Sequence, residues 1–275
     1  MADNWLHDST RPAKAPLIDT TVASPARAAD FLEGGRDNFE ADRVAARMMM
    51  AVAPVVRIIV PAARAFHRRV VSYLVAEAGI RQFLDVGAGL ATSARTHEVA
   101  QSLDPRCRVV YVDDDPMVLS HTRALARSSP EGAVGYVDGH VGDPSAMVAG
   151  AGATLDFGEP VALMLLIVLH LIPDADNPYG IVADLLRALP SGSYVVLSHP
   201  ASDIRTAQMA EMTSRVNERM SGPKATMRDL AAVTRFFDGL ELLEPGVVQP
   251  QQWRPEPGVL SPAQVTAWCG VARKR

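Results

Sequence analysis

A chain of 275 residues, 48% apolar and 21% charged with a net charge of −4, has the length and composition of one large globular domain with a sizeable core. The charge balance excludes a non-specific grip on nucleic acid or anionic lipid, and the 24 arginines against three lysines (Lys14, Lys224, Lys274) read as coding bias rather than recognition. Cys107 and Cys269 lie far apart without metal-ligand spacing, which excludes a disulfide framework and fits a reduced, cytoplasmic setting.

The opening MADNWLHDST has no basic start followed by an apolar stretch, so no signal peptide is expected. Residues 1–20, with Pro12 and Pro16, read as a loose arm. Residues 21–79 read as a helical lid of three segments. Ser24-Pro25 opens the first and Gly34-Gly35 stops it, Asn38 caps a second that runs to Pro54, and a third runs from about Pro61 to Ala78 with Gly79 as its stop. From Arg81 strands alternate with helices. Strands are predicted at 82–86, 107–113, 134–138, 161–169 and 194–198, with helices at 92–103, from Pro116, after Asp143-Pro144 and at 178–189. That rhythm means an α/β domain over 80–275, a parallel sheet with helices on both faces. The run at 161–169, nine apolar residues against the ~20 of a membrane span, suits a strand buried on both faces, and no membrane partner is expected. A helical insertion at 203–220 and a helix at 227–237 follow. Two last strands, 240–248 and 265–272, are expected to pair antiparallel at one sheet edge.

The chemistry concentrates where the first strand meets the first helix of the sheet, in Phe83-Leu84-Asp85-Val86-Gly87-Ala88-Gly89-Leu90-Ala91-Thr92. Gly87 and Gly89 let backbone approach a ligand closely, and the helix start offers free N–H donors. The third glycine of a dinucleotide fingerprint is missing, with Thr92 in its place. Asp85, two residues before Gly87, would repel a pyrophosphate and welcome a cationic amine. S-adenosylmethionine carries such an ammonium, a sulfonium and no phosphate. Asp113, 24 residues beyond Gly89 at a strand end, suits a carboxylate that accepts hydrogen bonds from both ribose hydroxyls. The pair favours the sulfonium cofactor over NAD; the competing reading is that each merely caps a helix or makes a turn.

Other candidates are weaker. His97-Glu98-Val99-Ala100-Gln101 begins like a zinc motif but has Gln101 where the second histidine belongs, so no metal is expected. Neither a G-x-S-x-G elbow nor a phosphate loop occurs. Arg57, Arg64, His67, Arg68 and Arg69 read as a solvated helix face, and Met48-Met49-Met50 as helix filler or an adaptable apolar lid. His170 follows the buried strand at the carboxyl edge, where it either deprotonates an acceptor or is a hydrogen-bonded core histidine. His199 stands similarly, with Pro200 suggesting a turn, and Tyr179 is a further candidate for the same edge.

The sequence resembles the S-adenosylmethionine-dependent methyltransferases with a Rossmann-like core, specifically an actinobacterial group labelled as a domain of unknown function. The resemblance covers residues 18–273. It is carried by Ile18-Asp19-Thr20, Pro25-Ala26-Arg27, Gly34-Gly35-Arg36-Asp37-Asn38-Phe39, Ala41-Asp42-Arg43, His97-Glu98-Val99-Ala100-Gln101, Val110-Tyr111-Val112-Asp113-Asp114-Asp115-Pro116 and Trp253-Arg254-Pro255. It implies that Asp85, Gly87 and Gly89 hold the methionine part of the cofactor, Asp113 the ribose, and that Asp114 lies beside the adenine. Where the family commonly offers a carboxylate to the adenine amine this chain has His140, with Asp138 and Asp143 as fallback acceptors. Ala91 stands in place of a proline and Arg95 in place of an asparagine. A hinge at Gly34-Gly35 is expected to place Asp37 and Asn38 near the cofactor, and the insertion at 203–220 to recognise the acceptor. The expected activity is in-line methyl transfer to a small molecule, without a nucleic-acid partner. The alternatives are a catalytically silent S-adenosylmethionine-binding module and an NAD-dependent Rossmann enzyme.

Overall fold

The fold is that of a computed structural model in which residues 18–90, 95–219, 224–256, 258 and 264–275 are described. The predicted arm up to residue 17, the helix start at 91–94 and Met220 lie outside the described residues. The described residues form one seven-stranded sheet: β1 (Gln82–Val86), β2 (Arg108–Asp113), β3 (Ala133–Asp138), β4 (Ala162–Leu166), β5 (Tyr194–Pro200), β6 (Glu241–Leu242) and β7 (Ala267–Arg273). Their order is β3-β2-β1-β4-β5-β7-β6. β1 to β5 pair parallel, and β7 joins β5 and β6 antiparallel, as the alternation of elements predicts. Nearly continuous apolar strands suit a sheet covered on both faces. Leu84, Val110, Leu163 and Leu165 pack on one face, while Phe83, Val109, Met164 and Val196 pack with Phe66, Leu74 and Trp253 on the other. β1 lies between β2 and β4, so successive connections leave it in opposite directions and open a crevice at its carboxyl end.

Three helices after the strands begin at Asx-Pro pairs, the start expected of Asp143-Pro144. Asp115 accepts the Met117 N–H at 2.9 Å to cap α5 (Pro116–Leu125). Asp143 accepts that of Ala146 at 3.0 Å for α6 (Pro144–Ala151), and Asn177 that of Gly180 at 3.1 Å for α7 (Pro178–Ala188). In each the carboxylate or amide satisfies a first-turn donor, and proline occupies a place where its missing N–H costs nothing. The short helix α4 (Thr96–Leu103) begins with the Arg95 N–H donated to Glu98 at 2.9 Å.

Several expectations need correction. The apolar run at 161–169 is not one strand. β4 stops at Leu166, Ile167 turns the chain with φ 52, and Leu169–Leu171 form a single helical turn. Val168 and Leu169 are apolar because they are buried beneath the site, not because they extend. β5 runs through His199 to Pro200 instead of turning. The proline is tolerated because β4 pairs with β5 only as far as Ser198, so no ladder donor is needed on that side. The third lid helix, α3 (Val56–Ala76), starts five residues before Pro61, which sits on its exposed face and removes only one internal hydrogen bond. Of 240–248 only Glu241–Leu242 is strand, followed by a single bridge between Val248 and Cys269. The predicted helix 227–237 shortens to α9 (Leu230–Thr234) and one tighter turn to Phe237. No single described helix is long and apolar enough to cross a membrane.

The lid is built round a buried cation. In α1 (Pro25–Leu32), Arg27 donates through Nε to Asp42 at 3.0 Å and through Nη2 to the carbonyls of Val22 and Asp19 at 2.7 and 3.1 Å. Its Nη1 lies 3.5 Å from Asp115, which also accepts the Ser24 hydroxyl at 2.8 Å. Asp42, fully buried in α2 (Glu40–Val52), takes the Phe39 N–H at 2.8 Å and so caps that helix, the role expected of Asn38. Asn38 instead donates to Asp30 at 2.7 Å inside the turn between α1 and α2, where a Cβ on Gly35 would lie 2.0 Å from the same carboxylate. Removing the cation alone strands Asp42 without its partner. Arg27→Met should therefore lower the unfolding free energy in urea by about 3–5 kcal/mol, and a loss below about 1 kcal/mol would show that the lid is not held this way.

Candidate functional site

The carboxyl ends of β1, β2 and β4, the lid and α8 (Thr206–Arg219) together line a cavity of about 410 Å³. A hollow of about 440 Å³ at the opposite sheet edge is lined by Arg81, Arg106, Arg108 and Arg273 with Asp156 and Glu159. Open α/β sheets take ligands at the carboxyl edge, and the glycine loop opens into the first cavity, which is the candidate site.

The glycine loop curls over the end of β2. Gly87 (φ 73) donates its N–H to the Val112 carbonyl at 2.9 Å, and a Cβ there would lie 2.6 Å from Val168. Gly89 (φ 60) donates to Asp113 at 3.0 Å, and no described atom lies within 4 Å of where its Cβ would be. That cradle leaves room for a ligand against bare backbone. The other Asp113 oxygen accepts the Asp115 N–H at 2.9 Å. Burial raises the Asp113 carboxyl to about 6 against the pull of those two amides.

Asp85 is buried at the end of β1. Thr96 donates its hydroxyl to Asp85 Oδ2 at 2.5 Å, and His67 Nε2 lies 2.8 Å from that hydroxyl oxygen. Burial drives the His67 imidazole down to about 3, so it is neutral. With the threonine proton committed to Asp85, His67 must donate from Nε2, and its Nδ1 is enclosed without a partner. Asp85 Oδ1 stays open to the cavity, and burial, partly offset by Thr96 and Arg64, raises this carboxyl to about 6. An open carboxylate oxygen beside a glycine cradle fits the ammonium of S-adenosylmethionine and opposes a pyrophosphate. Thr96 escaped the sequence reading, and His67, expected on a solvated helix face, is buried. The basic stretch of α3 is solvated only at Arg57 and Arg68, whereas Arg64 faces the cavity paired with Glu33 at 2.7 Å and Arg69 donates to the Pro250 and Trp253 carbonyls.

The remaining predicted residues divide. Asp114 and His140 are exposed on the cavity wall with 3.9 Å between Oδ2 and Nε2, and His140 Nδ1 accepts the Gly142 N–H. Arg95 lines the cavity 3.6 Å from Glu98. Asp138 pairs in register with Asp113 but lies off the wall, and Asp143 is occupied as a helix cap. Asp37 lies 2.8 Å from His121 on α5 and Asn38 within its turn, so the structure does not bring either to the cavity. Tyr179 donates to the Ala232 carbonyl and stacks on Phe236, also away from the cavity. His97 is bonded through Nδ1 to the Tyr111 hydroxyl, and no group of three potential metal ligands occurs among the described residues.

Beyond the glycine loop the cavity becomes apolar. Met209, Met212 and Val216, on one face of α8, meet Met49 of α2 and Ile59 of α3. The insertion expected to recognise an acceptor thus forms a wall of this lobe. His170 lines it, its carbonyl accepting the Thr226 N–H at 2.7 Å. His199 is withdrawn: Arg228 donates to its Nε2 at 2.8 Å, leaving Nδ1 to donate to the Pro200 carbonyl. Buried Arg228 also donates to the Leu169 and Ile172 carbonyls and to Asp174, which clamps the loop carrying His170.

A model of the S-adenosyl methyltransferase family matches residues 11–275. A crystal structure of a DUF574 family protein from Streptomyces avermitilis is similar at 38% identity and a TM-score of 0.90, covering 94% of this chain and 100% of that chain. A putative methyltransferase from Thermobifida fusca is 37% identical with a TM-score of 0.84, covering 94% and 97%. A SAM-dependent methyltransferase from Anabaena variabilis, 16% identical with a TM-score of 0.51 over 76% and 84%, shares the fold alone. No curated protein matches.

Asp85 and Asp113 both sit above the ordinary carboxylate value of 3.8, at about 6. The unliganded fold therefore holds these protons more tightly than the unfolded chain, and loses their stabilisation as pH rises from about 4 through about 6. An ammonium at Asp85 and hydroxyls donated to Asp113 would each favour the ionised carboxylate and reverse the preference. Affinity for S-adenosylhomocysteine, measured calorimetrically, should fall about tenfold per carboxylate between pH 7 and pH 5. Thr96→Val should weaken binding severalfold at pH 7 and move the midpoint upward; an unchanged profile would remove the His67–Thr96–Asp85 chain from any role in binding.

Proposed function

The chain belongs to the S-adenosyl methyltransferase family, with S-adenosylmethionine as methyl donor, and we propose that it transfers the methyl group in line to a small molecule. The carrying observation is one continuous cavity, with Asp85 and the glycine loop at one end and an apolar lobe holding His170 at the other. Its volume of about 410 Å³ is in the range that encloses small ligands. When bound, the cofactor supplies a methyl group already activated on a sulfonium. Asp85, Gly87 and Gly89 would hold its methionine part, Asp113 its ribose, and Asp114 and His140 would flank the adenine.

The chain's own residues then have two tasks, alignment and exclusion of water, because a displacement with a good leaving group needs no elaborate acid–base machinery. Asp85 is aimed by Thr96 and His67, Asp113 by two backbone amides, and α1, α2, α3 and α8 roof the space between them and the acceptor. The open Asp85 oxygen supports a cationic ligand over NAD. The reading takes neither nucleic acid nor membrane as partner.

Calorimetric titration with S-adenosylmethionine, S-adenosylhomocysteine and NAD tests it. The first two should bind at micromolar concentration, NAD should not, and Asp113→Ala should weaken both by at least about tenfold, the cost of one charge-assisted contact. Binding of NAD, or full affinity in Asp113→Ala, would overturn the assignment. Cofactor binding without S-adenosylhomocysteine release across an acceptor panel would favour a silent binding module instead.

A further inference from the structure

We infer that the methyl acceptor is an uncharged, largely apolar aromatic hydroxy compound whose O–H donates a hydrogen bond to the His170 imidazole, which then receives the proton. The inference rests on the methyltransferase reading and specifies the occupant of its apolar lobe.

Four observations lead to it. First, Met49, Met209, Met212 and Met227 all face the cavity, and thioether sulfurs make favourable contacts with the edges of aromatic rings while adapting to their shape. Second, the polar groups of this lobe are spoken for except one. Asn217 is bound through both amide atoms to the backbone of Ala225. Among the described residues the His170 ring has no hydrogen-bond partner, its Nδ1 is shielded from water, and it makes an edge approach to His199 at 6.3 Å. With Nδ1 enclosed, Nε2 is the nitrogen left to meet a cavity occupant, and an acceptor hydroxyl would give it a partner that no described residue supplies. Third, the lobe has no carboxylate among its described lining residues to receive an ammonium, and the two arginines that face the cavity, Arg64 and Arg95, are each beside a glutamate. Cationic amines and acidic acceptors are therefore both disfavoured. Fourth, Arg228 donates to the Leu169 and Ile172 carbonyls on either side of His170, so the backbone that carries the ring is fixed before any acceptor arrives.

The proton inventory suits a neutral hydroxyl. Burial and the Arg228 charge lower the His170 imidazole to about 4, so it is uncharged and able to accept a hydrogen bond at neutral pH. Such a weak base does not ionise a phenol in the ground state, and it need not. As an oxygen lone pair forms the O–CH₃ bond, the S–CH₃ bond breaks and its electron pair stays on sulfur, leaving a neutral thioether. The oxygen turns into a protonated ether, far more acidic than imidazolium, and its proton passes to His170 and from there to water.

The test uses 2-naphthol, whose absorption spectrum separates naphthol from naphtholate, with 2-methoxynaphthalene and protonated 2-naphthylmethylamine as controls, titrated into protein saturated with S-adenosylhomocysteine. The expected result is binding of 2-naphthol in its neutral form, weakened at least about tenfold by His170→Leu. The methoxy compound should bind wild type and variant equally, and the amine should not compete. His170→Asn, which keeps an acceptor but cannot take a proton, should retain naphthol binding within about threefold and lose turnover by about a hundredfold or more. Retained S-adenosylhomocysteine binding in both variants certifies that they are folded. Absence of naphthol binding, insensitivity to His170→Leu, or preference for the amine overturns the inference while leaving the methyltransferase reading intact. Failure of S-adenosylhomocysteine itself to bind wild type overturns both.

Discussion

Asp113 holds the carboxyl edge of this sheet together. One of its oxygens accepts the Gly89 N–H and the other that of Asp115, so one carboxylate sets the glycine loop, the end of β2 and the start of α5. Asp115 passes the constraint outward by receiving Ser24 and facing Arg27, and Arg27 passes it to Asp42 and α2. The N-terminal helices are thus indexed to the glycine-loop end of the cavity through charged groups that are mutually partnered. Their burial is affordable only as a set, because an isolated charge in this position would be several kcal/mol uphill. The raised carboxyls of Asp85 and Asp113 are the residual cost of burying them.

The same logic divides the cavity. Near the glycine loop several polar side chains are oriented by another: Thr96 by His67, Asp85 by Thr96, Arg64 by Glu33. Across the apolar lobe the walls are methionines and aliphatic side chains from three helices, which can reshape round an occupant without losing a hydrogen bond. The cavity thus combines rigid polar fixing at one end with adaptable apolar contact at the other. Arg228 separates the two histidines at the carboxyl edge by function: it saturates His199 and leaves the His170 ring uncommitted.

The stretches that carry the family resemblance do not all touch the cavity. Pro25-Ala26-Arg27, Asp37-Asn38-Phe39 and Ala41-Asp42-Arg43 mainly assemble the joint between α1 and α2, and Trp253, fully buried, packs edge-on against Phe66 and Tyr73 to seat α3 on the sheet. Membership of the family was legible in these residues because a buried ion pair and its hydrogen-bonded turn tolerate few alternatives. Their role was not legible, since Asp37 and Asn38 look the same in sequence whether they face a ligand or a neighbouring turn.

Local chemistry was enough for the alternation of strands and helices, the Asx-Pro helix starts and the pairing of Asp85 with the two glycines, because each is decided within a few residues by backbone conformation, capping or charge. The antiparallel edge followed from strands that come after the parallel set is complete. What depended on the assembled fold is the partnering of groups distant in sequence. The end of β4 at Ile167, the strand conformation at Pro200, the burial of His67 and the contrast between His170 and His199 were set by contacts across 29 residues or more in several cases, as with His67 and Thr96 or Arg228 and His199. Apolarity and charge are properties of single residues, whereas whether an apolar residue extends or turns, and whether a histidine is satisfied or left open, is decided by which atoms the folded chain brings within hydrogen-bonding distance.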